Sequence, residues 1–186
     1  MSEHRFNPER KSFLNSAERQ AYWKPQEFVN RFGLKTGERV LDLGCGTGFW
    51  TLPLAEKVGA SGVVTALDVS QELLDDLAAS HPPAQVHLLH SELPMIELPD
   101  GSVDFEWVAF VTHEVHPLET LTREMRRVGK RTAVLDWRPD AVGGKGPPRD
   151  HRLTPQQTID ALLAGGFSTA HQTWQDDDNY LIEATA

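Results

Sequence analysis

Three glycines at alternate positions, Gly44, Gly46 and Gly48, follow the carboxylate of Asp42 in the run VLDLGCGTGFW. Glycine has no Cβ, so such a loop turns tightly and lets a ligand lie against its main chain. The residues before it are strand-like, and Phe49, Leu52, Ala55 and Val58 recur at helical spacing, which puts the loop on a strand-to-helix turn. A turn of this kind points helix N–H groups at whatever lies above it. A second carboxylate, Asp68, closes the run VVTALD roughly 20 residues on, where an acidic side chain can accept hydrogen bonds from both ribose hydroxyls. NAD and an adenosyl cofactor satisfy Asp68 equally. Phe49 stands where a dinucleotide fingerprint has its third glycine, and the Gly-Lys-Ser/Thr of a nucleotide-triphosphate loop is missing.

A second set of residues is suited to moving a proton. His113 and His116 lie in HEVH, and Asp136 opens DWRP. An imidazole titrates near neutrality and serves well as a general base, with His113 the first candidate and His116 the next. The spacing is not that of a zinc-protease helix, because the second histidine comes one residue early and Pro117 follows it. A divalent ion on His113, Asp136 or His151 is a separate alternative. Asp136 can position a substrate or hydrogen-bond His113, while Arg138 can meet an acidic substrate group or pair with an aspartate to steady its own loop. Cys45 reads as a small residue filling the glycine turn, against a catalytic thiol at a helix N-terminus. Asp176, Asp177 and Asp178 read as a solvated turn, lacking the glycine and distal glutamate of a calcium loop.

The elements that position these residues alternate along the chain. Residues 1–15 are polar and charged and are expected to form a flexible arm, with 16–186 expected as one domain. Asn15 and Glu18 stand at capping-box spacing, and Pro25 begins a helix carrying Phe28, Val29 and Phe32 inward. Then come RVLDLG, GVVTALDV, AQVHLLH, DFEWVAFV and RTAVLDW as strands, with helices from FWTLPLAEKVG, SQELLDDLAAS (Ser70 its cap) and PLETLTREMRRVG between them. Thr154, Pro155 and Gln157 form a capping box for the last helix, and STAHQTW and NYLIEATA make an antiparallel hairpin. Alternating βα units imply an α/β, doubly wound, mainly parallel sheet of seven strands. The loop over 138–151 is rich in Gly and Pro and is expected to be irregular, mobile and able to act as a lid. Tyr22 and Trp23 either close the site from the N-terminal helix or belong to the core.

Composition narrows the partners. A formal net charge of −9, from 18 Lys plus Arg and 27 Asp plus Glu, argues against nucleic acid and anionic membrane surfaces. The basic cluster Arg123, Arg126, Arg127, Lys130 and Arg131 falls at the end of a helix, where cations favour the dipole. A single cysteine allows no intrachain disulfide, and no apolar stretch has the length of a membrane span, so a cytoplasmic protein is expected.

From about Phe28 to the C-terminus the sequence resembles class I S-adenosylmethionine-dependent methyltransferases. VLDLGCGTG, VVTALDVS, LPDGSVDF, HEV, MRRVGK and the GGF before the last hairpin carry the likeness. Within that superfamily it is similar to the small type 11 group related to quinone-biosynthesis enzymes. The resemblance implies a Rossmann-like sheet of order 3-2-1-4-5-7-6, with strand 7 antiparallel. It implies that Asp42, Gly44, Cys45, Gly46 and Gly48 bound the methionine portion of S-adenosylmethionine and that Asp68, with Val69, holds the ribose. Glu92 or Ser91 would reach the adenine amine with Leu93 beside the ring, and Thr112 and His113 would border the methyl group. The expected activity is in-line methyl transfer to a small-molecule acceptor, releasing S-adenosylhomocysteine. An adenosyl-binding module without turnover, or a nicotinamide-dependent oxidoreductase, is the alternative. The short loop after strand five implies a shallow site, a small substrate, or a cap supplied by a second subunit in a homodimer.

Overall fold

A computed structural model of the chain describes residues 13–144 and 146–186. The polar arm expected over 1–15 lies outside the described residues except for Phe13, Leu14 and Asn15. The described chain divides into two compact units, one ending at Glu92 and the other running from Leu93 to Ala186.

The first unit begins with two short helices, α1 (Ala17–Trp23) and α2 (Pro25–Val29). Ser16, not Asn15, caps α1: its extended backbone turns the hydroxyl onto the Arg19 N–H, three residues ahead, at 3.2 Å. The capping-box spacing from Asn15 is therefore one residue out of phase. Pro25 stands at the first position of α2 as expected, and Lys24, at φ 43°, supplies the left-handed corner between the helices. Trp23 meets Phe28 edge-on at 5.5 Å and Trp50 at 5.8 Å, so Trp23 belongs to the core while Tyr22 is exposed. Three parallel strands follow, β1 (Arg39–Leu43), β2 (Val63–Asp68) and β3 (Val86–His90), with Asp42 beside Ala66 and Asp68 beside His90. Helix α3 (Thr51–Val58) joins β1 to β2, and α4 (Gln71–Ala79), capped by Ser70, joins β2 to β3.

The second unit holds β4 (Phe105–Ala109), α5 (Leu118–Val128), β5 (Arg131–Trp137), α6 (Pro155–Ala164), β6 (Thr169–Gln175) and β7 (Asn179–Thr185). β4 and β5 run parallel, β7 pairs antiparallel with β5 from Arg131↔Thr185 to Trp137↔Asn179, and β6 closes the hairpin on β7. The seven strands take the order 3-2-1-4-5-7-6, as the resemblance implies. β4 stops at Ala109, earlier than its apolar run suggests, because Phe110 swings to φ 63° and donates its N–H to Leu135 O at 2.8 Å. The basic cluster at the end of α5 is spent on local structure: Arg127 donates to the Ile96 and Leu98 carbonyls at 2.7 and 2.8 Å and pairs with Glu124 and Asp100. Lys130 pairs with Asp104 at 2.7 Å. Among the described residues no helix is long and apolar enough to cross a membrane.

Gly48 has φ 88°, and a Cβ there would run into Leu77 of α4. Gly48→Ala carries both a backbone and a packing cost and should destabilise the fold by about 1–3 kcal/mol, lowering the melting temperature by several degrees. A thermal scan of the variant beside the native chain measures it; an unchanged melting temperature would show that Leu77 and the loop give way freely.

Candidate functional site

In the first unit the strand ends present main chain and carboxylates together. Gly44 and Cys45 donate their N–H groups to Leu67 O at 2.8 and 2.9 Å, which bends the chain out of β1. Gly44 and Gly46 take φ 75° and 55° in this turn, a region that favours glycine. Gly46 N–H then reaches Asp68 Oδ2 at 2.8 Å, while Ser70 N–H reaches Asp68 Oδ1 at 2.9 Å. Burial raises the Asp68 carboxyl above its ordinary value, and these backbone donors work against that. A carboxylate has about four acceptor positions, so beyond its backbone donors Asp68 can still serve a vicinal diol, whose two O–H groups need acceptors.

Asp42 is 1% exposed and accepts the Thr51 hydroxyl at 2.6 Å, which ties the end of β1 to the first residue of α3. Burial lifts its pKa to about 7, with Asp68 adding to the rise and Thr51 and Arg19 opposing it. Cys45 turns its side chain into a core cluster with Ala66, Leu74 and Leu77, and burial pushes its thiol well above the ordinary range. It is the small filler of the turn, not a reactive thiol, and offers a ligand main chain only.

At the end of β3, Ser91 is buried and donates its N–H to Asp68 O at 3.2 Å, whereas Glu92 is exposed. Val69 is half-buried, with its carbonyl 3.1 Å from His90 Nε2. Leu93 is half-buried and opens the second unit.

One residue in this unit was not legible as a site residue. Arg19 of α1 lies with its guanidinium 4.0 Å from the centroid of Phe49, and its Nη1 donates to Leu14 O at 2.7 Å. Burial lowers its pKa to about 10, with Asp42 pulling the other way. A lone arginine on a short helix carries no spacing signal; only the fold brings it to the glycine loop.

In the second unit the ends of β4 and β5 build one network around Asp136, which is 1% exposed. His113 Nδ1 lies 2.7 Å from Asp136 Oδ1, His113 N–H donates to Oδ2 at 3.3 Å, Trp137 N–H donates to Oδ1 at 2.8 Å, and the Thr112 hydroxyl also donates to Oδ2. A carboxylate only accepts, so Nδ1 carries the hydrogen and neutral His113 keeps its lone pair on Nε2. Burial works to lower the His113 pKa, but Asp136 and Glu114, whose Oε1 is 3.7 Å from Nε2, more than offset it, and the net shift is upward. Of the two readings of Asp136, the structure makes the hydrogen bond to His113.

Thr112, expected at the cofactor, spends its hydroxyl on Asp136. His116 is exposed and takes no part in the network. Arg138 grips Asp140 through Nε and Nη2 at 3.0 and 2.8 Å and donates to Asp176 O at 2.7 Å, the loop-steadying role of the two considered. Phe110 and Trp137, both half-buried and next in sequence to this network, stack at 5.0 Å with a 35° tilt. Asp176 uses Oδ1 to accept the Asp178 and Asn179 N–H groups at 2.9 and 2.7 Å, as a turn aspartate does. Among the described residues no three His, Cys, Asp or Glu side chains converge as metal ligands.

Comparisons with known proteins agree with this geometry. The family profile described as a methyltransferase domain matches residues 40–132. A SAM-dependent methyltransferase from Aquifex aeolicus superposes with a TM-score of 0.88 at 30% identity, over 97% of this chain and 98% of that one. Demethylmenaquinone methyltransferase from Geobacillus sp. (strain WCH70) is 33% identical over 142 residues, 73% of this chain and 60% of the relative. The corresponding protein of Geobacillus kaustophilus is 31% identical over 125 residues, 66% of this chain and 53% of the relative. The chain thus spans between about half and three fifths of the length of these curated relatives. By profile, by identity over nearly a whole solved relative, and by its sheet order, the chain belongs to the class I S-adenosylmethionine-dependent methyltransferase family.

Proposed function

We propose that this protein moves a methyl group from S-adenosylmethionine to a hydroxyl group on a small aromatic acceptor, releasing S-adenosylhomocysteine. The observation that carries the reading is the Asp68 carboxylate fixed by Gly46 and Ser70 beside the half-buried main chain of Gly44 and Gly46. Asp68 would accept the ribose hydroxyls, Gly44 and Gly46 would lie under the amino-acid end, and Ser91, rather than the exposed Glu92, would stand near the base. When bound, S-adenosylmethionine supplies a methyl carbon on sulfur that leaves its electron pair behind as a neutral thioether.

His113 and Asp136 would serve the acceptor. His113 takes the hydroxyl proton on Nε2, and Asp136 holds the ring through Nδ1 and balances the charge that forms, with Glu114 beside the newly protonated nitrogen. The acceptor oxygen forms the new bond to carbon as its proton leaves. Phe110 and Trp137 offer flat apolar surface suited to an aromatic ring. A small acceptor and a cytoplasmic setting suit the net charge of −9 and the single, buried cysteine. The nicotinamide reading has less support, since Phe49 fills the third glycine position of that fingerprint and is buried.

Calorimetric titration should show micromolar binding of S-adenosylmethionine and S-adenosylhomocysteine and none of NADH. Asp68→Ala should weaken adenosyl binding by on the order of 100-fold, the loss expected for two charge-assisted hydrogen bonds. Preference for NADH, or adenosyl binding untouched by the substitution, would defeat the reading.

Turnover with phenols and quinols should rise with pH along a limb whose midpoint lies above 6.5, the ordinary histidine value, because the active form is neutral His113 and its pKa is raised. Asp136→Asn removes the charge that raises it, so the limb should move to lower pH while the maximal rate drops. His113→Gln should lower kcat by about 100-fold or more. A kcat indifferent to His113 would remove the general base and favour an adenosyl-binding module or an acceptor that arrives already ionised.

A further inference from the structure

We infer that Arg19 recognises the carboxylate at the amino-acid end of the adenosyl ligand, an inference that rests on the cofactor reading above. The N-terminal segment lies directly on the glycine loop: Leu14 Cδ1 comes within 3.3 Å of where a Cβ on Gly46 would stand. Arg19, held in register by the Ser16 cap, lays its guanidinium over Phe49, the residue that follows Gly48, at 4.0 Å from the ring centroid. The ring fixes the plane of the guanidinium, and Leu14 O takes one N–H from Nη1 at 2.7 Å. A guanidinium has five N–H donors, and among the described residues this is the hydrogen bond Arg19 makes with its side chain. A planar fork so placed is suited to a carboxylate, which it meets bidentately.

The charges around the loop explain why a cation is needed there. Asp42 and Asp68 bury two carboxylates at the same strand ends, and they interact. The ligand's amino-acid end carries an ammonium and a carboxylate. The ammonium suits Asp42, but the carboxylate would be repelled by the aspartates unless a positive group stood with them. Arg19 is coupled to Asp42 through space and supplies that charge from α1. Half-buried, its charge is less screened by water than at an open surface, so an anion pairing with it gains more there.

The test compares two ligands differing only in this group: S-adenosylhomocysteine, and its decarboxylated counterpart, which keeps the amine. Titration of the full chain should show the native protein preferring S-adenosylhomocysteine by on the order of 10- to 100-fold, the range of a charged hydrogen-bonded pair. Arg19→Met should erase the preference by weakening S-adenosylhomocysteine alone, leaving the decarboxylated compound level. Arg19→Lys, which keeps the charge without the fork, should retain part of it and stands in if Arg19→Met does not fold. Equal binding of the two compounds by the native protein, or an Arg19→Met loss of the same factor for both, would overturn the role of Arg19 while leaving the cofactor reading intact. Binding of neither compound by the native protein would overturn both.

Discussion

The Asp68 carboxylate accepts the Gly46 N–H on one oxygen and the Ser70 N–H on the other, and so fixes the loop after β1 and the start of α4 with one group. Burying a charge is costly unless it is met by donors, and the fold meets it with backbone, which cannot be lost to a rotamer change. Asp42, near the end of β1, has the Thr51 hydroxyl instead, and its pKa climbs to about 7. Burial raises both carboxyls, and the main-chain donors that face Asp68 oppose the rise there. Glu106, fully buried on β4, extends this series: burial holds its carboxyl well above the usual range, with Thr132 and Arg126 only partly opposing.

Local chemistry made most of the fold legible. Alternating apolar runs and helical spacing gave each strand and helix, the glycine spacing gave the strand-to-helix turn, and Thr154 with Gln157 gave a capping box that the fold contains. Pairing of His113 with Asp136 was also within reach, since both lie where strands end although 23 residues separate them. What failed to show is what depends on backbone dihedrals or tertiary approach. Asn15 and Ser16 are both good caps, and only the path of the chain selects Ser16. Arg19 reads as one more helix cation until α1 is laid on the glycine loop. Ser91 and Glu92 are neighbours of similar plausibility in sequence, and burial separates them.

The loop after β5 shows the limit of reading composition alone. Its glycines and prolines suggest an irregular, mobile segment, and within it three arginines bond backbone carbonyls, Arg149 donating to Ala141 O at 2.9 Å. Arg152, 8% exposed, donates to Pro147 O and Arg138 O at 3.0 Å each and lies 5.7 Å from the Trp137 ring. Arg138 ties the start of the loop to Asp140 and to the β6–β7 turn at Asp176. Gly146, at φ 89°, packs so closely on Trp137 that a Cβ would clash at 2.7 Å. Irregular backbone is thus compatible with a fixed position when charged side chains satisfy its carbonyls.

Phe110 shows why the fold tolerates strain next to the dyad. A left-handed aromatic residue costs about 1–2 kcal/mol relative to ordinary backbone. In return β4 breaks at Ala109, and the chain turns far enough for the short helical turn at Thr112–Glu114 to bring two donors back onto Asp136. Had β4 continued in register, Thr112 and His113 would have alternated to opposite sheet faces, as successive strand residues do, and both could not have met one carboxylate. The Phe110 N–H bond to Leu135 O and the stack on Trp137 are contacts that offset the strain. The backbone distortion, the saturated carboxylate and the single available imidazole nitrogen are consequences of one another.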